Sequence, residues 1–258
     1  NNFAPRGGAI FVNGNIEKSL ISAYFADNSA LIGGAIYAGS ITYTEIDGDF
    51  FNNTAIFEME SLVEVDFGLG GAIFSEGVIE NSSIEGEFTF NQATNSGGAI
   101  FVLEGIDRSN VTGGFMHNFA LVGGAVDTPA IRNSNIAAKF VNNTALIGGA
   151  VNTNLINNTE IESYFINNTA DLNLMELIDD NTKEDIEEYL NECVDEKILE
   201  YILNYTMEHE MGLGFGGGIA VAGIMANSTI FGEFINNGGA DAGGAISVLG
   251  VVEESLTS

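Results

Sequence analysis

Four carboxylates stand at matching places in two neighbouring stretches of the chain: Asp47 and Asp49 in Asp47-Gly48-Asp49, and Glu85 and Glu87 in Glu85-Gly86-Glu87. Residues two apart on a β-strand share a face, about 7 Å from each other. If the two stretches pair, Asp47 lies beside Glu85 and Asp49 beside Glu87, about 5 Å across. Three chemistries fit such a patch. A hard cation such as Ca²⁺ takes carboxylate oxygens in flexible geometry. A pair of carboxylates about 5 to 9 Å apart is also what acid/base hydrolysis of a glycoside requires. The third reading is a solvated acidic stripe. All three depend on elements that bring residues 38 apart in sequence into register.

Other reactive residues are sparse. His117 and His209 are far apart and lack neighbouring cysteines, which argues against a transition-metal site. Cys193 is the single cysteine, so it makes no internal disulfide, and it reads as a small buried hydrophobe. Seven Lys and Arg against 36 Asp and Glu give a formal charge of -29. That balance excludes direct nucleic-acid binding and a negatively charged membrane surface as partners. It also argues against β-helical polysaccharide lyases, which need basic residues. No run of about 18 apolar residues is present, and the opening residues lack the charged-then-apolar order of a signal peptide.

The positioning elements are visible as a repeat. Gly-Gly-Ala followed by Ile or Val begins at Gly7, Gly33, Gly70, Gly97, Gly123, Gly148 and Gly243, with the variant Gly216-Gly217-Gly218-Ile219. The spacings are 26, 37, 27, 26, 25, 68 and 27, a unit of roughly 26 residues interrupted twice. Each unit holds a Phe, at 25, 50, 88, 115, 140, 165 and 234, with Asn three residues later, Ile or Val four before and Ser or Thr six before. Between the aliphatic residue and Phe the middle residue is always Gly, Ala or Ser. This alternation is a strand with its apolar and small residues inward. Two further strands per unit, one after Gly-Gly and one near Ile16, Ile41, Ile79, Ile106 and Ile131, predict an all-β chain. Its fold class is a parallel, right-handed β-helix of about seven coils, three strands each and on the order of 35 Å long. Stacked Phe and Ile fill the interior, Asn and Ser/Thr ladders hold two corners, and Gly-Gly turns the third.

Both interruptions fall between the Asn-x-Ala element and the next Gly-Gly. Residues 56–69 alternate Val63, Val65, Phe67 and Leu69 with Glu64, Asp66 and Gly68, as in a short β excursion. Residues 171–215 read as an acidic α-helical insertion, with a stripe of Ile186, Leu190, Val194, Ile198 and Ile202, Thr182 as N-cap, and 14 acids beside Lys183 and Lys197. The helix is expected to pack on the rod or to meet a partner. Because Asn2 and Ala4 already match the Asn and Ala columns, the chain is expected to be one β-helix segment, 1–258, of a longer solenoid.

Gly-Gly-Ala-Ile with Phe-x-x-Asn resembles the repeats of chlamydial polymorphic outer-membrane proteins. The fuller Phe140-Val141-Asn142-Asn143-Thr144-Ala145-Leu146-Ile147-Gly148-Gly149-Ala150 is similar to adhesin-like surface proteins of methanogenic archaea. The resemblance covers every coil but not the 171–215 insertion. It implies a non-enzymatic, secreted or cell-surface adhesin or structural protein whose partners are a surface glycan or protein, or copies of itself. Eight Asn-x-Ser/Thr acceptors, at Asn52, Asn81, Asn110, Asn142, Asn157, Asn167, Asn204 and Asn227, suit an extracellular glycoprotein, although ladders rich in Asn, Ser and Thr also generate them. Two alternatives stand beside this expectation. One is a filament built by end-to-end stacking of open coils. The other is a carbohydrate-active enzyme using the acidic patch.

Overall fold

A computed structural model of the chain describes residues 1–56, 68–171, 214–240 and 242–257. Among these residues the protein is all-β and without helices, with parallel strands in stacked sheets, the arrangement of a parallel β-helix. Each strand pairs with its copy one repeat away. The longest run is the seven-residue strand, seen in Leu20–Ala26, Glu45–Phe51, Ser83–Thr89, Asn110–Met116, Asn135–Val141, Glu160–Ile166 and Thr229–Ile235. With Leu256–Thr257 these make one eight-stranded sheet. Its register sets Ile46 on Ile84 on Val111, and Phe50 on Phe88 on Phe115.

The strands after Gly-Gly and those near Ile16 form the second wall. They belong to a single 14-stranded sheet because they run together in Val151–Asn157 and again in Ile219–Ala226. Between these two the register shifts by one residue, a bulge on the longer strand. The third side carries only two-residue strands such as Thr54–Ala55 and Thr144–Ala145. Pairing resumes immediately beyond each insertion, where Leu69 bridges Ile32 and Phe215 bridges Ile147. The expected β excursion in 56–69 and the expected acidic helix in 171–215 lie, but for their edges, outside the described residues.

Like packs on like inside. Successive core Phe rings stack with centroids 4.6–5.0 Å apart and planes within 15°. Ile and Val from both large sheets close around them, and Phe50, Phe88, Phe115, Phe140 and Phe165 are fully buried. Burial of this apolar column, at roughly 25 cal/mol per Å², is the main driving force for closing each coil.

Three corners turn the chain, each through the left-handed backbone region. At one corner the first Gly of each pair takes positive φ, as Gly33 does at 64°. The second faces the coil ahead: a Cβ on Gly34 would lie 2.0 Å from the Gly71 carbonyl oxygen. Both glycines are therefore required, the first for its dihedral and the second for the close coil-to-coil approach. At the other two corners every non-glycine residue with positive φ among the described residues directly precedes a ladder residue. Lys18, Tyr43, Asn81, Arg108, Asn133, Asn158, Asn227 and Glu254 precede the Ser/Thr ladder, which Ser255 extends by one rung. Asp27, Asn52, Phe90, His117, Asn142, Asn167 and Asn236 precede the Asn ladder.

The Asn ladder is bonded throughout its length. Each side-chain NH₂ donates to the next Asn Oδ1 at 2.8–3.0 Å. The same NH₂ donates to the Phe carbonyl of the coil behind at 2.7–2.9 Å. Each Oδ1 also accepts the backbone N–H of the Asn behind. The Ser/Thr hydroxyls do analogous work, accepting a backbone N–H from the neighbouring coil and donating to the carbonyl two residues upstream, as in Ser82. Asn118→Ala would strand one N–H of Asn91 Nδ2, the Asn91 backbone N–H and the Phe88 carbonyl lone pair that accepts the Asn118 amide, all in a dry corner. We expect a loss of about 3–5 kcal/mol in urea denaturation, since each stranded buried group costs about 1–3 kcal/mol.

Candidate functional site

The repeat brings the four sequence-identified carboxylates together as expected. Asp47 pairs directly with Glu85 across adjacent strands, and both, with Asp49 and Glu87, are exposed on the outer face. The small residues between them face the other way, and Gly86 lies so close that a Cβ on it would be 1.8 Å from the Gly48 carbonyl oxygen. Asp49 is partly engaged, its carboxylate accepting the Glu87 backbone N–H at 3.3 Å. Glu87 folds its own carboxylate over Gly114 in the next coil, into the space a side chain there would fill. Among the described residues no group of three or more His, Cys, Asp and Glu is placed to hold a metal ion. The patch is thus two carboxylate pairs exposed on one sheet face.

Other candidates fall in different places. His117 is an exposed corner residue whose ring stacks on Phe90 at 4.8 Å. Cys193, His209 and Asn204 lie outside the described residues. Of the remaining acceptor asparagines, Asn52, Asn81, Asn142, Asn167 and Asn227 are themselves left-handed corner residues. Asn is suited to that conformation, and the ladder residue follows it, so the corner geometry itself writes much of the Asn-x-Ser/Thr pattern. Asn110 is exposed, whereas Asn157 is followed by Thr159, whose hydroxyl is buried in the ladder.

Two features escaped the sequence reading. The first is an open trough of about 520 Å³ along the Ser/Thr corner, from Arg108 to Thr229. Its rim is a chain of amides: Asn158 donates to Asn133 Oδ1 and Asn133 to Asp107 Oδ1, both at 2.8 Å. Arg108 closes one end, held by Glu80 and by Asp107 at 2.7 Å. The Asn-rich column before the Ser/Thr ladder was the available signal, but its significance rests on a backbone conformation that spacing alone does not reveal.

The second is Asp127. It stands on an outward row whose earlier rungs are the rings of Phe11, Tyr37, Phe74 and Phe101, the last three stacked and Phe101 paired with it directly. Leu31, Ile32 and Leu69 cover the middle of this row. Tyr37 donates to Glu76 there, and burial first and that bond second push its phenol pKa up. Asp127 is buried at the end of the aromatic stack, and desolvation pushes its carboxyl up to about 6. Hydrogen bonds from Asn152, from Ser96 and from the Thr128 backbone oppose the rise. The adjacent Thr128 hydroxyl is buried and without a hydrogen-bond partner.

Comparisons with protein-family models, with curated proteins and with solved structures find no match to this chain. The chemistry of the site therefore stands on geometry alone.

Because folding raises the Asp127 pKa above its unfolded value of 3.8, the folded state gains relative stability below that pH and loses it as pH rises through about 6. The loss amounts to at most about 3 kcal/mol, since each tenfold change in proton affinity is worth about 1.4 kcal/mol. Asp127→Asn keeps an oxygen for the Asn152 amide and removes the charge. Denaturation between pH 4 and pH 8 should show the variant gaining on the wild type as pH rises; parallel curves would contradict this assignment.

Proposed function

We propose that the chain is a non-enzymatic, extracellular adhesin-like or scaffold β-helix, right-handed and of about seven coils, that displays its outward residues to a surface glycan or protein. The observation that carries this reading is the division of labour along the seven-residue strands. Inward and corner positions repeat from coil to coil and are engaged in the Phe stack and the two ladders. Outward positions vary freely: the place of Asp47 is taken by Glu85, Thr112, Ala137, Glu162 and Phe231 in successive coils. A sequence that conserves a rod and varies its outer face is organised for display. The acidic surface, with a formal charge of -29, keeps such a rod soluble and unassociated at neutral pH. Exposed corner asparagines such as Asn52 and Asn167 are the positions where glycans would attach without disturbing a ladder.

Antibodies raised against the chain should label intact cells that produce it, and the soluble chain added in excess should reduce attachment of those cells to their substratum. Labelling confined to permeabilised cells would overturn the proposal.

A further inference from the structure

We propose that the trough along the Ser/Thr corner binds a neutral oligosaccharide. This rests on the reading of the chain as an attachment module and names the chemistry that one of its surfaces recognises.

The trough is lined by two parallel columns, one rung per coil. The corner column holds Arg108, Asn133, Asn158 and Asn227, and beside it, two residues further along, stand Asn110, Asn135, Glu160 and Thr229. An asparagine amide offers two N–H donors and two acceptor lone pairs. Within the corner chain Asn133 uses one donor toward Asp107 and one acceptor position for Asn158. One N–H and one lone pair remain on Asn133, and Asn158 also keeps a free N–H and its carbonyl oxygen. Adjacent donors and acceptors of this kind match vicinal sugar hydroxyls, each of which donates and accepts at once. The bonded chain of amides holds these groups in fixed orientation and polarises them along its length.

The fold does not by itself ask for this composition. A left-handed corner suits Asn at 133, 158 and 227, but the second column has ordinary strand geometry, and its counterparts in earlier coils are Leu20, Glu45 and Ser83. Asn110 and Asn135 bring amides to that column only beside the trough, where Glu160 and Thr229 continue it. About 520 Å³ lies within the range of roughly 300–1,000 Å³ usual for small-ligand clefts. The open, polar lining suits an extended hydroxylated chain lying across the coils.

Charge decides between neutral and acidic sugars. Arg108, the one cationic residue of the lining, is engaged by Glu80 and Asp107, and Glu160 adds an exposed carboxylate. With the net charge of the whole chain behind it, the trough repels uronates and sulfated glycans. Because Asn110 and Asn227 are also glycosylation acceptors, the test uses the full chain made without glycosylation.

Calorimetric titration with cellohexaose, mannohexaose and chitohexaose should show saturable binding of at least one. The double variant Asn133→Gly and Asn158→Gly removes the amides while accommodating the left-handed backbone, and it should weaken that binding at least about tenfold. Asn52→Gly, at the opposite corner, should leave it unchanged. No binding of any of the three, equal binding by the double variant with an unchanged melting curve, or tighter binding of an oligogalacturonate would overturn the proposal. Surface labelling can succeed while calorimetry fails, and the reverse, so the two readings fall separately.

Discussion

A carboxamide buried in a dry corner has two donors and two acceptor positions to fill, and in this protein each is filled largely by the equivalent residue one coil away. Asn91 shows the arrangement: it donates to Asn118 Oδ1 and the Phe50 carbonyl, and it accepts the side-chain and backbone N–H groups of Asn53. The bond set closes only if neighbouring coils place Asn at the same height. A residue too many or too few within a wall would put an unsatisfied amide against Phe, which is why length varies only where the chain leaves the wall. Both long insertions depart after a Thr-Ala or equivalent step and return at Leu69 and Phe215, already in register.

That constraint distributes the remaining roles. The Phe stack and the Ile rows follow it because identical side chains at one height fill the interior with the same shape repeated. Gly-Gly follows it because two backbones approach there too closely for a Cβ. The residues ahead of each ladder are forced into left-handed geometry, and their side chains point to solvent. Corners therefore combine a fixed backbone with free side chains, a natural place to build recognition. The seven-residue strand faces are flatter and carry charge in exposed pairs, as Asp47 and Glu85 do.

Much of this was legible from spacing. The Phe, Ile, Asn and Ser/Thr columns, the inward small residue and the pairing of Asp47 with Glu85 all follow from a period of two within a period of about 26. Three things were not. The left-handed corner columns mix Asn with Lys, Tyr, Arg, Phe and His, so residue type alone conceals a common backbone conformation. The trough depends on two columns being adjacent across a corner, which linear spacing does not express. The burial of Asp127 comes from the outward aromatic row ending on it, a neighbour set that the alternation within one strand does not express. In each case what was missed is a relation between coils on the outer surface, where the repeat places no demand on residue type.

The claim that register, rather than the particular content of any coil, holds this fold together is tested by removing one coil. Deleting residues 98–123 joins Gly97 to Gly124 and leaves each column continuous; deleting residues 98–110 sets ladder residues against the core. Circular dichroism with thermal melting should find the first variant β-rich with a cooperative transition close to that of the parent and the second without one. Equal behaviour of the two deletions, whether both fold or neither does, would contradict the account.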